Sequence, residues 1–426
     1  MSNNNNNEID RDELESLLRP RYGPKCRVLE AETSDFLPPG ENFACTLYKV
    51  EARARRSEHD DDDDNEDVQR LSLVAKTFPS SEAVLKIFDF NCLFEKEIFF
   101  YDRLAPALRR IELRYRADAT EDDAFDIVPK LYGFRKSRKA SEADDDDKVD
   151  DGVVLLMENL KAKGYYTMNK VKGLDLAHSR QAILHLARMH ALCVALKHHE
   201  PDFFAAEVVK HARVAPFHEP EDREDLYEVM RRLLMLDERN APYADQIAKL
   251  LGAEYKAGFF LYRAPEPWCS IMHFDFWTNN VLYHRDEATG LIDDCKFIDF
   301  QNYVYNSPLR DLPYFLCSST EAKVMRDHLD ELLDLYYETF CRVLASVQYP
   351  RPEAVFTRRS FDEQLKIDAK LEFFHNVLAI KFFCAEIDAS FEPGQIDAVI
   401  IDSGVNKTGY DKWHNIVQTY LRKDWL

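Results

Sequence analysis

Glycine is scarce in this chain, 12 of 426 residues, and neither Gly-x-x-x-x-Gly-Lys-Ser/Thr nor Gly-x-Gly-x-x-Gly occurs. A phosphate cradle built from glycine-loop amides therefore cannot be argued from the sequence. No Gly-x-Ser-x-Gly elbow is present, which removes the hydrolase chemistry that depends on it. The nine cysteines (26, 45, 92, 193, 269, 295, 317, 341, 384) are widely spaced, odd in number and lack a Cys-x-x-Cys pair. Reduced thiols are expected from that usage, not a disulfide frame or a zinc site. No uncharged apolar run approaches the ~18 residues that span a bilayer. The polar start, Met1-Ser2 and five asparagines, has neither the basic opening nor the apolar core of a secretion signal. A cytoplasmic protein without a membrane partner is expected.

Basic stripes are missing too. The net charge is −21, but fourteen acids fall in two runs, Asp60 to Asp64 with Glu66 and Asp67, then Glu142, Asp144 to Asp147, Asp150 and Asp151. Taking those fourteen from 77 leaves 63 acids against 56 bases, a body of −7. Such a surface does not neutralise phosphates, so nucleic acid is not expected as a partner.

What is present is a folding composition, 46% hydrophobic and 12% aromatic, in a chain too long for one typical core. A polar tail and short helix are expected over 1–24, the helix running from Arg11 to Leu18 before Pro20. A β-rich lobe is expected over 25–157, with strands at Val28-Leu29, Phe43 to Ala54, Ser72 to Thr77, Ile127-Val128 with Leu131-Tyr132, and Val153 to Met157. The two acidic runs read as solvated loops within it, and one helix is expected over 81–104. From about Leu176 the period is helical, so 158–426 reads as a helical lobe. The plan is α+β and two-lobed: a small antiparallel β N-lobe, a large helical C-lobe, and a seam near Glu158 to Gly164.

The sharpest segment is Met272-His273-Phe274-Asp275-Phe276-Trp277-Thr278-Asn279-Asn280, followed nineteen residues on by Asp299-Phe300. Its form is His-x-Asp-x-x-x-x-Asn, then Asp-Phe. Phosphoryl transfer asks a protein mainly to hold an acceptor oxygen in line and to neutralise phosphate charge with metal ions. Magnesium is hard and keeps several waters, so one carboxylate and one amide oxygen, Asp299 and Asn280, are a sensible protein share. Asp275 is placed to accept the proton of an attacking hydroxyl. Val281 to Tyr283 and Lys296 to Ile298 read as a hairpin that brings Asn280 and Asp299 together. His273 is read as a support of this loop, not as its base. His185 and His190 do not make a metal site, since five residues on a helix set them roughly 140° apart.

This segment resembles the catalytic and metal loops of the ecdysteroid kinase-like family, relatives of choline kinases and aminoglycoside phosphotransferases that share the protein-kinase-like fold. Leu73-Val74-Ala75-Lys76-Thr77-Phe78-Pro79 resembles the family's third strand, Phe94 to Tyr101 its following helix, Leu155 to Gly164 its lobe connection, and Leu186 to Ala191 the helix after it. The likeness covers about 35–345. It implies ATP and Mg2+ as cofactors and a small-molecule hydroxyl compound as acceptor, in a protein expected to be monomeric. Lys76 should contact the α- and β-phosphates and Glu97 should pair with it, with Glu95 as a rival. Met157, Glu158 and Leu160 belong to a hinge whose backbone meets adenine. Gly40 and Asn42, in Gly40-Glu41-Asn42-Phe43-Ala44, take the place of the phosphate-covering loop. Asp311 matches an aspartate that braces the catalytic loop.

Two departures stand out. Gln301 follows Asp299-Phe300 where protein kinases end in glycine, although glutamine is usual in this family. Phe274 stands where the family usually has glycine, which opens a pseudokinase alternative. An acceptor of choline or aminoglycoside type, being cationic, would call on carboxylates such as Glu372, Glu386 and Asp388. The aromatic runs Phe373-Phe374 and Phe382-Phe383, with Tyr303, Tyr305 and Trp277, read either as core or as the lining of an apolar acceptor pocket.

Overall fold

The computed structural model describes residues 9–36, 45–56, 68–79, 81–138, 148–216, 225–386 and 403–426. Gly40, Asn42, Asp388 and the acidic stretches 60–67 and 142–147 lie outside the described residues.

The first helix, Arg11–Tyr22, starts where Asp10 accepts a hydrogen bond from the Glu13 amide at 2.8 Å. It passes the expected stop at Pro20, because the Gly23 amide still reaches the Arg19 carbonyl at 2.9 Å and closes the last turn. Five strands follow: β1 (Arg27–Asp35), β2 (Thr46–Arg55), β3 (Val68–Thr77), β4 (Leu131–Arg135) and β5 (Val154–Glu158). They form one antiparallel sheet in the order β1-β2-β3-β5-β4. Ile127-Val128 is not a strand. Pro129 has no amide for a ladder, and the Ile127 carbonyl instead accepts from the Phe297 amide at 2.7 Å.

Both faces of the sheet are covered, which is why β5 is a continuous buried run, Val154 to Glu158. On one face Leu71, Leu73, Ala75, Val154 and Leu156 pack against Leu14, Leu17 and Leu18 of the first helix. Gly133 of β4 permits this close approach, since a Cβ there would sit 1.9 Å from the Leu17 carbonyl oxygen. The period of two sends Lys76 to the opposite face.

That second face receives helix. The single helix expected over 81–104 is two, Glu82–Ile87 and Phe90–Phe99, because the Asp89 carboxylate accepts from the Cys92 amide at 3.0 Å and opens a new one. This second helix widens into a π turn over Phe100–Leu104 and continues as Ala105–Tyr115. After β5 a short turn, Leu160–Lys163, ends at Gly164 with φ 85°. Beyond it the long helices Leu176–His199, Leu329–Ser346, Arg358–Cys384 and Lys407–Arg422 surround two short strand pairs. These are β6 (Ser270–Met272) with β9 (Val304–Asn306), and β7 (Val281–Arg285) with β8 (Ile292–Phe297).

Candidate active site

Lys76 lies in β3 between Leu47 of β2 and Leu155 of β5, so its backbone is fixed on both sides. Its ammonium donates to Glu97 at 2.6 Å and to Asp299 at 2.8 Å. Glu95, the rival on the same helix, pairs elsewhere, with Arg213 at 2.7 Å. The π turn presents Phe100 and Tyr101 to Phe300: Phe100 stacks on it with centroids 3.6 Å apart, and Tyr101 meets it edge-on at 6.0 Å. Phe300 also touches the His273 ring, at 4.5 Å. The helix that carries Glu97 is thereby packed against the residue next to Asp299.

The catalytic-loop candidates sit on the β6 exit and the β7–β8 hairpin. Val281 pairs with Phe297, and the Ile298 amide donates to the Asn280 carbonyl at 3.0 Å, which brings the two ends of the motif together. The Asn280 side-chain nitrogen donates to Asp275, to the backbone oxygen at 2.8 Å and the carboxylate at 3.2 Å. Asp311 accepts from two successive amides, His273 at 2.7 Å and Phe274 at 2.9 Å, one on each carboxylate oxygen. His273 Nε2 lies 3.1 Å from the Ile298 carbonyl. Phe274 and Asp299 both have positive φ, 68° and 66°. Asp visits this region with little difficulty, whereas Phe does so at a cost of order 1–3 kcal/mol. The Asp311 fork holds Phe274 there, and its ring is received by Phe259, His375 and the Arg310 guanidinium. The glycine of the related sequences is explained by that φ, and so is the means by which this chain does without it.

Charge crowding shifts the ionisable groups. Burial alone would lower the Lys76 ammonium, but Asp299 and Glu97 outweigh it and raise its pKa well above the ordinary value. Burial, with Asp299 nearby, pushes the Glu97 carboxyl up to about 7 against the pull of Lys76. Burial and the Asp299 charge raise Asp275, opposed by His273, His375 and the hydrogen bond from Asn280.

Lys76, Glu97, Asp275, Asn280, Asp299, His273 and Asp311 thus form one connected group. Met157 and Glu158 end β5, the strand that pairs with Lys76 through Leu155, and Leu160 opens the turn after it. The Glu158 amide is donated to the Lys130 carbonyl at 2.9 Å and the Asn159 amide to Ser72 at 3.2 Å. Sequence reasoning gave no place at this site to His190, Tyr314 or His375. His190, fully buried, joins Asp311 at 3.1 Å and Tyr336 at 2.8 Å. Burial, with the Asp275 charge nearby, raises the Tyr314 hydroxyl pKa well above its ordinary value. His375 lies flat on the Tyr314 ring with centroids 3.8 Å apart, and its Nδ1 is 2.8 Å from Glu372. His185 lies apart from this group, its Nδ1 2.9 Å from the Cys295 carbonyl. Phe373 and Tyr303 are fully buried core, while Trp277 stacks on Phe383 at 4.4 Å. No cluster of three or more His, Cys, Asp or Glu suited to a metal occurs among the described residues.

The sequence model of the Ecdysteroid kinase-like family matches residues 39–349. The chain belongs to this family. Membership and the sheet-then-helix architecture together give it the two-lobed, α+β protein-kinase-like fold. No curated protein matches the chain. Among solved structures, choline kinase from Cryptosporidium parvum Iowa II is similar at 9% identity, over 93% of this chain and 91% of its own, with a TM-score of 0.43. Ethanolamine kinase from Plasmodium vivax is similar at 11% identity, over 87% and 81%, with a TM-score of 0.39. Amicoumacin kinase hAmiN, in complex with AMP-PNP, Ca2+ and Ami, is similar at 12% identity, over 89% and 88%, with a TM-score of 0.38. With TM-scores this low, these likenesses add no argument of their own.

Proposed function

We propose that this member of the Ecdysteroid kinase-like family is an active phosphotransferase that moves the γ-phosphoryl group of ATP onto a hydroxyl of a small molecule. The observation that carries the reading is the ammonium of Lys76 held between Glu97 at 2.6 Å and Asp299 at 2.8 Å in the space between sheet and helices. A buried ion pair of this kind costs several kcal/mol per ion in desolvation and stabilises a fold poorly. Its presence where the sheet meets the helices, with a carboxylate of raised pKa, is better accounted for by chemistry than by stability.

In this reading Lys76 binds the α- and β-phosphates and Glu97 keeps the ammonium aimed at them. Adenine lies against Met157 to Leu160, where the Glu158 amide is already engaged, and Gly40 and Asn42 belong to the segment that covers the phosphates. Asp299 and Asn280 hold Mg2+. Their donor chemistry fits a hard cation, because Asn280 spends its nitrogen on Asp275 and Asp299 one oxygen on Lys76, while among the described residues the Asn280 oxygen and the second Asp299 oxygen have no side-chain partner. The metal supplies charge neutralisation at the phosphates. Asp275 accepts the proton of the acceptor hydroxyl as its oxygen bonds to the γ-phosphorus and the bond to the ADP oxygen breaks. His273 and Asp311 fix the loop on which Asp275 stands.

The acceptor we favour is an ecdysteroid-like, steroid or xenobiotic alcohol. The family's description supports this, and so does Glu372, which is already engaged by Arg310 Nε at 2.5 Å and by His375 Nδ1 at 2.8 Å and so is not free to meet a choline-like cation. The pseudokinase alternative rested on a loop spoiled by Phe274, yet Asp311 holds that loop. Among the described residues no helix is long and apolar enough to cross a membrane. We propose a cytoplasmic monomer with domains at 1–24, 25–157 and 158–426. The test is ATP consumption over a panel of hydroxyl compounds, with wild type compared with Asp275→Asn and Asp299→Ala. Turnover lost in both variants supports the reading, and Mg·ATP binding without any Asp275-dependent turnover overturns it.

A further inference from the structure

Two successive residues grip Phe274 in different places. Asp311 accepts from its amide at 2.9 Å, and Arg310 sets its guanidinium 5.3 Å from the centre of its ring. Both stand where the short turn Pro308–Arg310 passes into the helix Asp311–Ser319. That turn is itself tied down, since the Ser307 hydroxyl donates to Asp368. Arg310 is anchored in turn: its Nε donates to Glu372 at 2.5 Å and its Nη1 to the Phe259 carbonyl at 2.9 Å. The Phe259 ring lies 4.9 Å from the guanidinium and 5.4 Å from the Phe274 ring, which closes a triangle. Arg310 and Glu372 are each 1% exposed.

Stability does not account for this arrangement. An ion pair buried so deeply serves a fold no better than two apolar side chains of the same volume. Here the guanidinium also leaves Nη2 buried without a partner among the described residues, a donor desolvated for no return. What arginine offers is a flat, permanently charged face that stacks on an aromatic ring while its other nitrogens are spent elsewhere. Phe274 is the ring that needs holding. Its φ of 68° is one that phenylalanine keeps only when its surroundings impose it, and Asp275 is the next residue.

We infer that Arg310 is a positioning residue: anchored by Glu372 and the Phe259 carbonyl, its guanidinium holds the Phe274 ring and so keeps residue 274 at the positive φ that sets Asp275 in place. It acts through the ring, so glycine at 274, which adopts that φ unaided, makes it dispensable to the loop. The assignment concerns the loop itself, and only its consequence for turnover rests on the phosphotransferase reading.

The experiment is a cycle on the full chain: wild type, Arg310→Lys, Phe274→Gly and the double variant. Amide hydrogen exchange is followed at His273 and Phe274, and kcat and KM are measured for Mg·ATP with water as acceptor. Lysine keeps a charge opposite Glu372 but has no flat face. Loss of one desolvated cation–ring contact corresponds to about tenfold, so Arg310→Lys should speed exchange of both amides roughly tenfold. It should also lower kcat by about three- to tenfold, because Asp275 is no longer fixed, with the ATP KM unchanged. In the Phe274→Gly background the same substitution should change either quantity by no more than about twofold. Equal changes in the two backgrounds, or faster exchange in neither, overturn the assignment and leave the kinase reading standing. Absence of any Asp275-dependent turnover, here and over the hydroxyl panel, overturns the kinase reading, and exchange still decides the role of Arg310. Should Arg310→Lys fail to fold, Phe274→Leu puts the question from the other end, since it keeps a side chain at this φ without a ring face. It should speed exchange about tenfold over Phe274→Gly, and equal rates in those two variants overturn the assignment.

Discussion

The two sides of the reacting centre are held by different forces. On the nucleotide side, Lys76, Glu97 and Asp299 are fixed by ion pairs of 2.6 and 2.8 Å. On the side we propose for the acceptor, Phe274, Tyr314 and His375 are fixed by ring stacking and one carboxylate anchor. Charges at fixed points suit a phosphate chain, whose negative charge is the same in every turnover. Aromatic faces suit a partner recognised by contour and by one or two hydrogen bonds. The division predicts that changes on the first side strike kcat and changes on the second strike acceptor KM.

The largest effect falls where the charge is greatest. Asp299→Ala removes the carboxylate we propose to hold the metal and one of the two carboxylate partners of Lys76. A loss of roughly 5 kcal/mol of transition-state stabilisation, on the order of 10^4-fold in kcat, is expected, read as ATP consumption at saturating nucleotide. A residual rate within tenfold of wild type breaks the contrast between the two sides. Asp275→Asn keeps the shape and removes the proton acceptor, so a fall on the order of 10^3-fold is expected. Because burial and Asp299 raise the Asp275 pKa, the carboxylate proposed as base is lost as pH falls through a value above the ordinary 3.8 of an aspartate. The acid limb of kcat/KM should lie there, and it should vanish in the residual activity of Asp275→Asn.

The difference between the sides also explains what the sequence disclosed. Lys76, Asp275, Asn280 and Asp299 stand in short motifs with fixed spacing, because hairpin and strand geometry impose that spacing. The alternating strands were readable for the same reason. His190, Tyr314, Glu372 and His375 come from three separate helices, and nothing local in a helix marks which of its buried polar residues will meet a loop far away in sequence. Errors in the elements were local too. Pro129 abolished a strand at Ile127-Val128, and Asp89 split a helix, by capping and amide loss that an apolar period does not register.

Asp311→Ala tests the joint between the sides. The His273 and Phe274 amides lose their acceptor, at about 1–3 kcal/mol each, and Asp275 loses its fixed position. A fall of roughly 10- to 100-fold in kcat is expected together with a lower Tm, with Asp311→Asn intermediate because it keeps one acceptor oxygen.

A smaller effect belongs to stability beneath the acceptor side. Burial pushes the Asp368 carboxyl, bonded to Ser307 and Gln364, up to about 7 from an ordinary 3.8. Between those values the folded chain binds a proton that the unfolded chain has released, so stability falls as pH rises through the window. Asp368→Asn should flatten Tm against pH between about 4 and 7, and an unchanged slope counts against this burial.

The smallest expected change is Phe274→Gly, where two effects oppose. Glycine relieves the φ of 68°, worth about 1–3 kcal/mol, while the half-buried ring gives up apolar contact and its Arg310 cation–π pair, worth about 1–3 kcal/mol together. The sum is near zero, so Tm should stay within a few degrees. The acceptor side should register the change all the same, since the imidazole of His375 loses a wall. Acceptor KM should rise while the ATP KM stays put, and a rise in both would mean that the loop, not the wall, was what the ring maintained.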